Sequence, residues 1–453
     1  NCEGGLVLNK STFLMQPGEA LELRNFEPDI EGGYRRINGF SKYVSAIVPQ
    51  TSSSSEKVLM VASFADVVLA ARGTSIYSAT PGGSSWTSRD SGRTSASKYN
   101  FERFNFDGTD KIVVADGVNA PTVFNSSLAA TDVSESSVAG AKFVVSFKDH
   151  MFYAGKSTTK QEVIFSQPFD EDAFSSGSGA GSFKVDDTVV GLKVFREDLF
   201  VFCETRIFKL SGTSSSNFAV VPVTRNIGCV NGDTIFNDNL SSASEFESTV
   251  IPDKTQYRIF FTKSTVAENQ TKGVICVLKG QQFEFSEIRG IRPACTDSFV
   301  DEGNVIVLHG AYSGGYIYRQ ESGNTFDGEV IFGRYRSPDL TFQDPGIRKH
   351  MQRVILNYKP EAAIDADLIL RYDYEDPDSA RPAVYPLDSS DVVAIYGTST
   401  YGVPIYDGAS QPLVRQPVEG SGFAVALKVQ DGGQTAPYSL KGFQLEYQLG
   451  ARR

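Results

Sequence analysis

Histidine, tryptophan and methionine are scarce in this chain: three, one and four among 453 residues. With only His150, His309 and His350 available, a three-histidine zinc site would have to gather every imidazole from distant segments. No His-Glu-x-x-His occurs, and the five cysteines (Cys2, Cys203, Cys229, Cys276, Cys295) are widely spaced with no Cys-x-x-Cys. The expectation is therefore no metal site and no disulfide framework, with the cysteines as small buried hydrophobes in a reducing cell. His150 lies in a charged turn and His350 beside Lys349, so both are expected on the solvated surface; His309 follows an apolar strand. No apolar run approaches the roughly 20 residues of a membrane-spanning helix. The opening Asn1-Cys2-Glu3 is neither a signal peptide nor an initiator methionine, so the true start is expected to be processed away or left out.

Positive charge is also short. Against 54 acidic residues stand 43 basic ones, a formal net charge of −11. That balance argues against gripping nucleic acid by its phosphates, which needs clustered Lys and Arg, but suits a surface along which DNA slides without sticking.

What is present is rhythm. Val67 to Ala70 turns through Arg72-Gly73-Thr74 into Ile76-Tyr77, and Ile112 to Val114 turns through Asp116-Gly117-Val118-Asn119 into Val123-Phe124. Met151 to Ala154 leads to Val163-Ile164-Phe165, and Phe200 to Cys203 turns through Glu204-Thr205-Arg206 into Ile207-Phe208. The closing aromatics Tyr77, Phe124, Phe165 and Phe208 are roughly 47, 41 and 43 positions apart, a propeller-like period. Hairpins on such a beat, nearly free of helix, predict radially arranged four-stranded blades. Serine-rich stretches at Ser84 to Ser97, Ser175 to Gly181 and Gly212 to Ser216 are expected as exposed loops at the blade edges.

After Phe208 the beat falters. The next comparable hairpins are Val274 to Leu278 with Phe283-Glu284-Phe285, then Val305 to Leu308 with Tyr316-Ile317-Tyr318. From about Ser337 prolines accumulate and strands lengthen, as in Met351 to Tyr358, Asp367 to Tyr372, Phe423 to Val429 and Phe443 to Tyr447, which suggests a β-sandwich. The expected fold is all-β. It comprises an extended opening segment over 1–50, a β-propeller of about six or seven blades over 51–340, one blade being incomplete, and a C-terminal β-sandwich over 341–453.

A search for chemistry finds little. Asp186-Asp187, Asp170-Glu171-Asp172 and Glu375-Asp376-Asp378 are carboxylates close in sequence in turn contexts, where Asp commonly caps or bends the chain rather than catalysing. Asp373 to Asp378 lacks the central glycine and ordered ligand spacing of a calcium loop. Gly177-Ser178-Gly179-Ala180-Gly181 runs into Phe183 and Val185 rather than a helix, so it is neither a phosphate cradle nor a nucleophile elbow. No catalytic, cofactor-binding or metal residue is assigned, and the chain is expected not to be an enzyme.

Several segments resemble the β-propeller tail nozzle, or packaged-DNA stabilisation, proteins of tailed bacteriophages. They are Gly4-Gly5-Leu6, Pro17-Gly18-Glu19-Ala20, Asn25-Phe26, Gly32-Gly33, Arg36 and Gly39-Phe40 in the opening segment. Val190-Gly191-Leu192 through Phe195, Leu199 to Phe202 and Ile207 to Gly212, followed by Gly228-Cys229-Val230, are also similar. So are Tyr396 to Gly402 with Tyr406, and Gly420-Ser421-Gly422 leading to Phe443, Glu446-Tyr447 and Arg452-Arg453. The resemblance implies a structural virion protein assembled in the host cytoplasm into the tail. It would form a ring of copies, typically six, beneath the portal and adaptor, retain and pass the genome without sequence-specific binding, and offer a level at which tail fibres could dock. It also implies a further hairpin where Ile235 meets Phe236, so a stretch is expected to be missing there. Two other readings stand beside it: a carbohydrate-active or receptor-binding tail propeller (a depolymerase or fibre-docking adaptor), and a non-viral propeller serving as a protein-binding platform. The first of these needs an Asp or Glu pair on inner strands, and the sialidase Ser-x-Asp-x-Gly-x-Thr-Trp turn is absent, since Ser84-Ser85-Trp86 does not match it.

Overall fold

The computed structural model describes residues 1–50, 57–96, 98–229, 246–261, 271–361, 364–375, 382–388 and 413–452. The expected missing stretch at Ile235/Phe236 and the Tyr396 to Tyr406 segment lie outside these residues. The described chain is almost entirely β-stranded and multi-sheet, with only short 3-10 turns as helix.

Four antiparallel four-stranded sheets follow one another. The first holds Met60–Phe64, Val67–Arg72, Ser75–Ala79 and Thr87–Asp90. The second holds Asn100–Phe104, Lys111–Ala115, Thr122–Asn125 and Ala130–Asp132. Phe143–Phe147, His150–Ala154, Glu162–Phe165 and Gly181–Lys184 make the third. Val189–Phe195, Asp198–Cys203, Ile207–Ser211 and Ala219–Thr224 make the fourth. Tyr77, Phe124, Phe165 and Phe208 each fall on the third strand of their sheet, which is the physical content of the repeat.

The local chemistry is that of tight hairpins. Ala65-Asp66 and Lys148-Asp149 are two-residue loops with both residues at positive φ, the twist that lets right-handed strands pair. Asp116 caps the second sheet's wider turn by accepting from the Val118 and Asn119 amides at 2.8 and 2.7 Å.

The fifth sheet begins with Phe246–Ile251, Gln256–Phe261, Lys272–Lys279 and Gln282–Arg289. The hairpin with Phe283 and Phe285 is therefore its third and fourth strands, not its second and third. The irregular spacing around Phe285 arises because that residue belongs to a different strand from the other closing aromatics. Pro293–Asp301, Asn304–Ala311 and Ile317–Gln320 form most of the sixth sheet, and its last strand is Phe40–Lys42 from near the start of the chain, with Phe40 opposite Gln320 and Lys42 opposite Tyr318.

Strands buried on both faces, such as Val68 to Arg72 and His150 to Ala154, mean that the first and third sheets pack between neighbours, whereas strands of the fourth alternate buried and part-exposed residues. The cores record the order. Ile306, Leu308 and Ile317 of the sixth sheet meet Val61, Val68 and Tyr77 of the first; Met60, Leu69 and Ile76 of the first meet Ile112, Val114 and Phe124 of the second. Val113 and Val123 meet Val144, Met151 and Tyr153 of the third, whose Val145, Phe152 and Phe165 pack on Leu199, Val201 and Leu210 of the fourth. Phe260, Ile275 and Val277 of the fifth sheet join Phe40 at the sixth. Full burial of each such side chain contributes about 1.5–3 kcal/mol.

Residues from the opening segment and the last third of the chain build two further layers. Glu22–Arg24, Gly333–Arg336, Val425–Asp431, Asp365–Tyr372 and Tyr385–Asp388 extend the fifth sheet to nine strands. Phe26–Pro28, Tyr34–Arg36, Tyr438–Arg452, Ile347–Pro360 and Leu413–Pro417 form a six-stranded sheet together with Ser421–Gly422, which pairs with Ile347–Pro360 off the main path. Leu23, Tyr335, Leu368, Leu427 and Val429 of the first layer share one core with Phe26, Tyr34, Val354, Leu356 and Tyr438 of the second.

Candidate functional site

The residues singled out in the sequence are placed apart. His150 is buried, at 2% exposure, not solvated as its charged turn suggested. It opens a strand whose residues are all buried, its ring meets Phe152, Phe165 and Phe218, and its Nδ1 donates to the Ser166 carbonyl at 2.6 Å. The charged character of Lys148-Asp149 ends with the turn; the next side chain faces inward. His350 is exposed, and His309 is buried inside the sixth sheet.

The carboxylate clusters act as caps and pairs. Asp187 accepts from the Thr205 amide and hydroxyl at 2.7 and 2.8 Å, and Asp186 pairs with Arg206. Asp172 accepts from Ser134, and Glu171 pairs with Lys111 at 2.9 Å. Asp373 accepts from the Phe423 and Ala424 amides, and Glu375 faces Arg336 and Arg371. Asp376 and Asp378 lie outside the described residues. Among the described residues no group of three or more His, Cys, Asp or Glu could hold a metal ion.

The structure brings forward carboxylates that the search for neighbouring acidic pairs missed: Glu102, Glu247 and Asp297, each on the first strand of its sheet. Asp297 accepts from the Ser63 amide of the first sheet at 2.8 Å and pairs with Arg103 of the second at 2.5 Å. Glu247 accepts from Thr296 of the sixth sheet at 2.8 Å and pairs with Lys98 at 2.6 Å. Glu102 accepts from the amide and hydroxyl of Ser146 in the third sheet. Burial raises the Glu102 pKa against the lowering effect of those two bonds. These groups staple adjoining first strands together. A lone acid at an odd position within a strand pattern is the only sequence signal they leave.

Turns between first and second strands carry acid in all six sheets: Asp66, Asp107 with Asp110, Asp149, Glu197, Asp253, and Glu302. Three of these turns border one cleft of about 860 Å³, lined by Asp66, Asp110, Asp301 and Glu302 with Arg103 and Lys111. Lys148 pairs with Glu197 at 2.6 Å, joining the turns of the third and fourth sheets. Val300 and Phe195 are 65% and 60% exposed beside these acids, so this end offers carboxylates and apolar tips together.

A buried ionic network lies where the fifth and sixth sheets meet the opening segment. Arg258 bonds to Gln256, Glu27 and Glu321, and Lys254 bonds to Glu27 and Glu321 at 2.6 and 2.5 Å. Arg35 adds a contact to Glu27 at 3.3 Å and a two-pronged pair with Glu361. Burial works against ionised Glu321, but Arg258 and Lys254 outweigh it and hold its pKa down to about 2.

No family model matches the chain, and no curated protein matches it. Among solved structures, one of a mitotic checkpoint complex is similar at 9% identity and a TM-score of 0.41, covering 63% of this chain and 93% of that one. The extracellular domain of the one-component system BT4673 from B. thetaiotaomicron is similar at 9% identity and a TM-score of 0.38, covering 62% of this chain and 39% of that one. An ancestral GH74 enzyme is similar at 12% identity and a TM-score of 0.37, over 69% of this chain and 52% of that one. At these values the likenesses carry no argument about activity or partners.

Proposed function

We propose that the six sheets close into a six-bladed β-propeller, that the two further layers form a β-sandwich on its flank, and that the protein is a non-catalytic, ring-forming component of a phage tail channel. The observation that carries the non-catalytic part is the use of Glu102, Glu247 and Asp297. Acid–base hydrolysis needs inner-strand carboxylates free to meet a substrate, and these three are engaged between strands. The packing order fifth, sixth, first, second, third, fourth, with Phe40–Lys42 completing the sixth sheet, supports the propeller. Location in a virion tail, a hexameric ring, contact with adaptor and fibre proteins, and passage of DNA rest on the resemblance of the opening and closing segments to nozzle proteins. The acidic turns suit a wall that repels phosphate.

Cryo-microscopy of virions carrying the protein tests this directly. A coaxial ring of copies around the tail channel is expected, and particles whose channel is built without this chain would refute the placement. Converting Asp66 and Asp301 to lysine is expected to slow genome ejection while rings still assemble; unchanged ejection would remove the channel-wall role. A second reading, a carbohydrate- or receptor-binding tail propeller, is favoured by the 860 Å³ acidic cleft. Glycan binding abolished by Asp66→Asn with Asp301→Asn would favour it over the first.

A further inference from the structure

Among the described residues the strand that completes the sixth sheet is an edge strand, paired along its length on one side and bridged on the other at Phe40, whose N–H donates to the Thr325 carbonyl at 3.0 Å and whose carbonyl accepts from the Asp327 amide at 2.9 Å. Ser41 Oγ lies 2.8 Å from Ser322 Oγ across 281 positions of sequence, and Lys42 pairs with Asp327 at 3.3 Å. Its one large apolar anchor is Phe40, buried to 6% exposure. Phe40 stacks on Phe326 with ring centres 5.1 Å apart, tilts against Tyr318 at 4.8 Å, and meets His309 edge-on at 5.0 Å. His309 is 2% exposed, stacks on Tyr318 at 5.1 Å, and its Nδ1 has no hydrogen-bond partner. A neutral imidazole tolerates this aromatic box; an imidazolium loses its hydration there and gains no counter-charge.

The charges on the surrounding elements are already committed. On the first strand of the sixth sheet, Asp297 is held by Arg103 and the Ser63 amide. Next to it, Thr296 lies opposite His309 and donates to Glu247, which pairs with Lys98. On the third strand, Gln320 accepts from Arg258, whose own partners are Glu27 and Glu321, and Arg319 leaves from the opposite face to Tyr318. On the completing strand, Lys42 is paired with Asp327 and sits 4.5 Å over Tyr316. None of these groups hydrogen bonds to the imidazole Nδ1.

We propose that His309 is an acid-sensitive latch on the strand that completes the sixth sheet: when Phe40–Lys42 leaves the sheet edge the imidazole takes a proton, and the charged ring no longer readmits Phe40. Burial holds the closed-state imidazole down to about 3, so the proton is taken by the open form. The closed form is therefore fully favoured above the ordinary histidine value of 6.5 and loses ground as pH falls below it. Opening would also change a cleft of about 830 Å³, because Phe40, Tyr318 and Phe326 form one side of it and Arg24, Arg289 and Arg334 another.

Hydrogen exchange of the full chain at pH 7.5 and 5.5, corrected for intrinsic rates, tests the latch. Protection over residues 37–44 is expected to fall about tenfold at pH 5.5, since one proton on a group of pKa 6.5 in the open form shifts opening by that factor. The strand Lys111–Ala115 of the second sheet, which contains no histidine, serves as control and should keep its protection. His309→Phe, which keeps a ring but cannot titrate, should hold residues 37–44 equally at both pH values; if it fails to fold at pH 7.5, His309→Gln takes its place. Unchanged wild-type protection, equal loss in the substituted protein, or simultaneous loss in the second sheet would each overturn the latch.

Discussion

Replacing Arg258 with methionine tests whether the ionic network at the junction holds the opening segment against the fifth and sixth sheets. The guanidinium is fully buried, and its removal leaves Glu27 and Glu321 facing one another with Lys254 as their common cation. Breaking a buried pair in this way costs about 3–5 kcal/mol, because a desolvated charge is left without its partner. The pH dependence gives an independent check. Glu321 has its folded pKa held down to about 2 against an ordinary value of 4.5, so its contribution is complete above 4.5 and is lost as pH falls towards 2. Urea unfolding followed by far-ultraviolet circular dichroism, extrapolated linearly to zero denaturant, is the assay. Glu321→Gln, which removes one partner of a buried pair, should be about 3–5 kcal/mol less stable than wild type at pH 7, and the deficit should shrink as pH falls below 4.5 towards 2. An Arg258→Met protein within about 1 kcal/mol of wild type, or a Glu321→Gln deficit that does not change with pH, would refute the reasoning.

Glu102 has its pKa raised by burial, so the ionised form is disfavoured in the folded protein; Glu102→Gln is expected to raise the unfolding midpoint at pH 7 and to lose that advantage below pH 4.5. His150→Leu removes the donor to the Ser166 carbonyl and should cost about 1–3 kcal/mol in the same urea assay. At Gly39 an added Cβ would sit 1.9 Å from the Thr325 carbonyl oxygen, a backbone atom that cannot swing aside. Gly39→Ala should therefore cost about 1–3 kcal/mol and lower hydrogen-exchange protection of Phe40–Lys42 more than of any strand in the third sheet.

The four early sheets are legible because their pairing is local: alternation over five or six residues, then a tight turn, then the return strand. Tyr77, Phe124, Phe165 and Phe208 mark their third strands for that reason. The same cue misassigns the hairpin at Phe285, since any two antiparallel strands joined by a short turn look alike whichever pair of the sheet they form. Nothing local marks Phe40–Lys42 as the partner of Ile317–Gln320, or Glu22–Arg24 as the strand joining the fifth sheet to Gly333–Arg336. Those pairings are decided by burial of Phe40 and Leu23 in cores assembled from remote segments. The acids behave similarly. Asp186-Asp187 is recognisable as a turn cap from its neighbours, whereas Asp297 acquires its role only from Ser63 and Arg103, far away in sequence. His150 is misread because charge on one side of a strand boundary says little about the face the next residue takes.

The completing strand of the sixth sheet also sets a schedule for biosynthesis. Phe40–Lys42 leaves the ribosome early, yet the strand it must pair with follows about 280 residues later, as the pairing of Phe40 with Gln320 measures. At about 5–20 residues per second this is a wait of about 15–55 s, during which the segment has no sheet to join. The nascent chain must keep Phe40 from pairing elsewhere for that interval, and the sixth sheet is finished only when Ile317–Gln320 emerges, although one of its strands is made before any strand of the first four sheets. Damage confined to Phe40–Lys42 would accordingly show its effect late, as a chain whose first four sheets form normally but whose sixth sheet keeps an open edge.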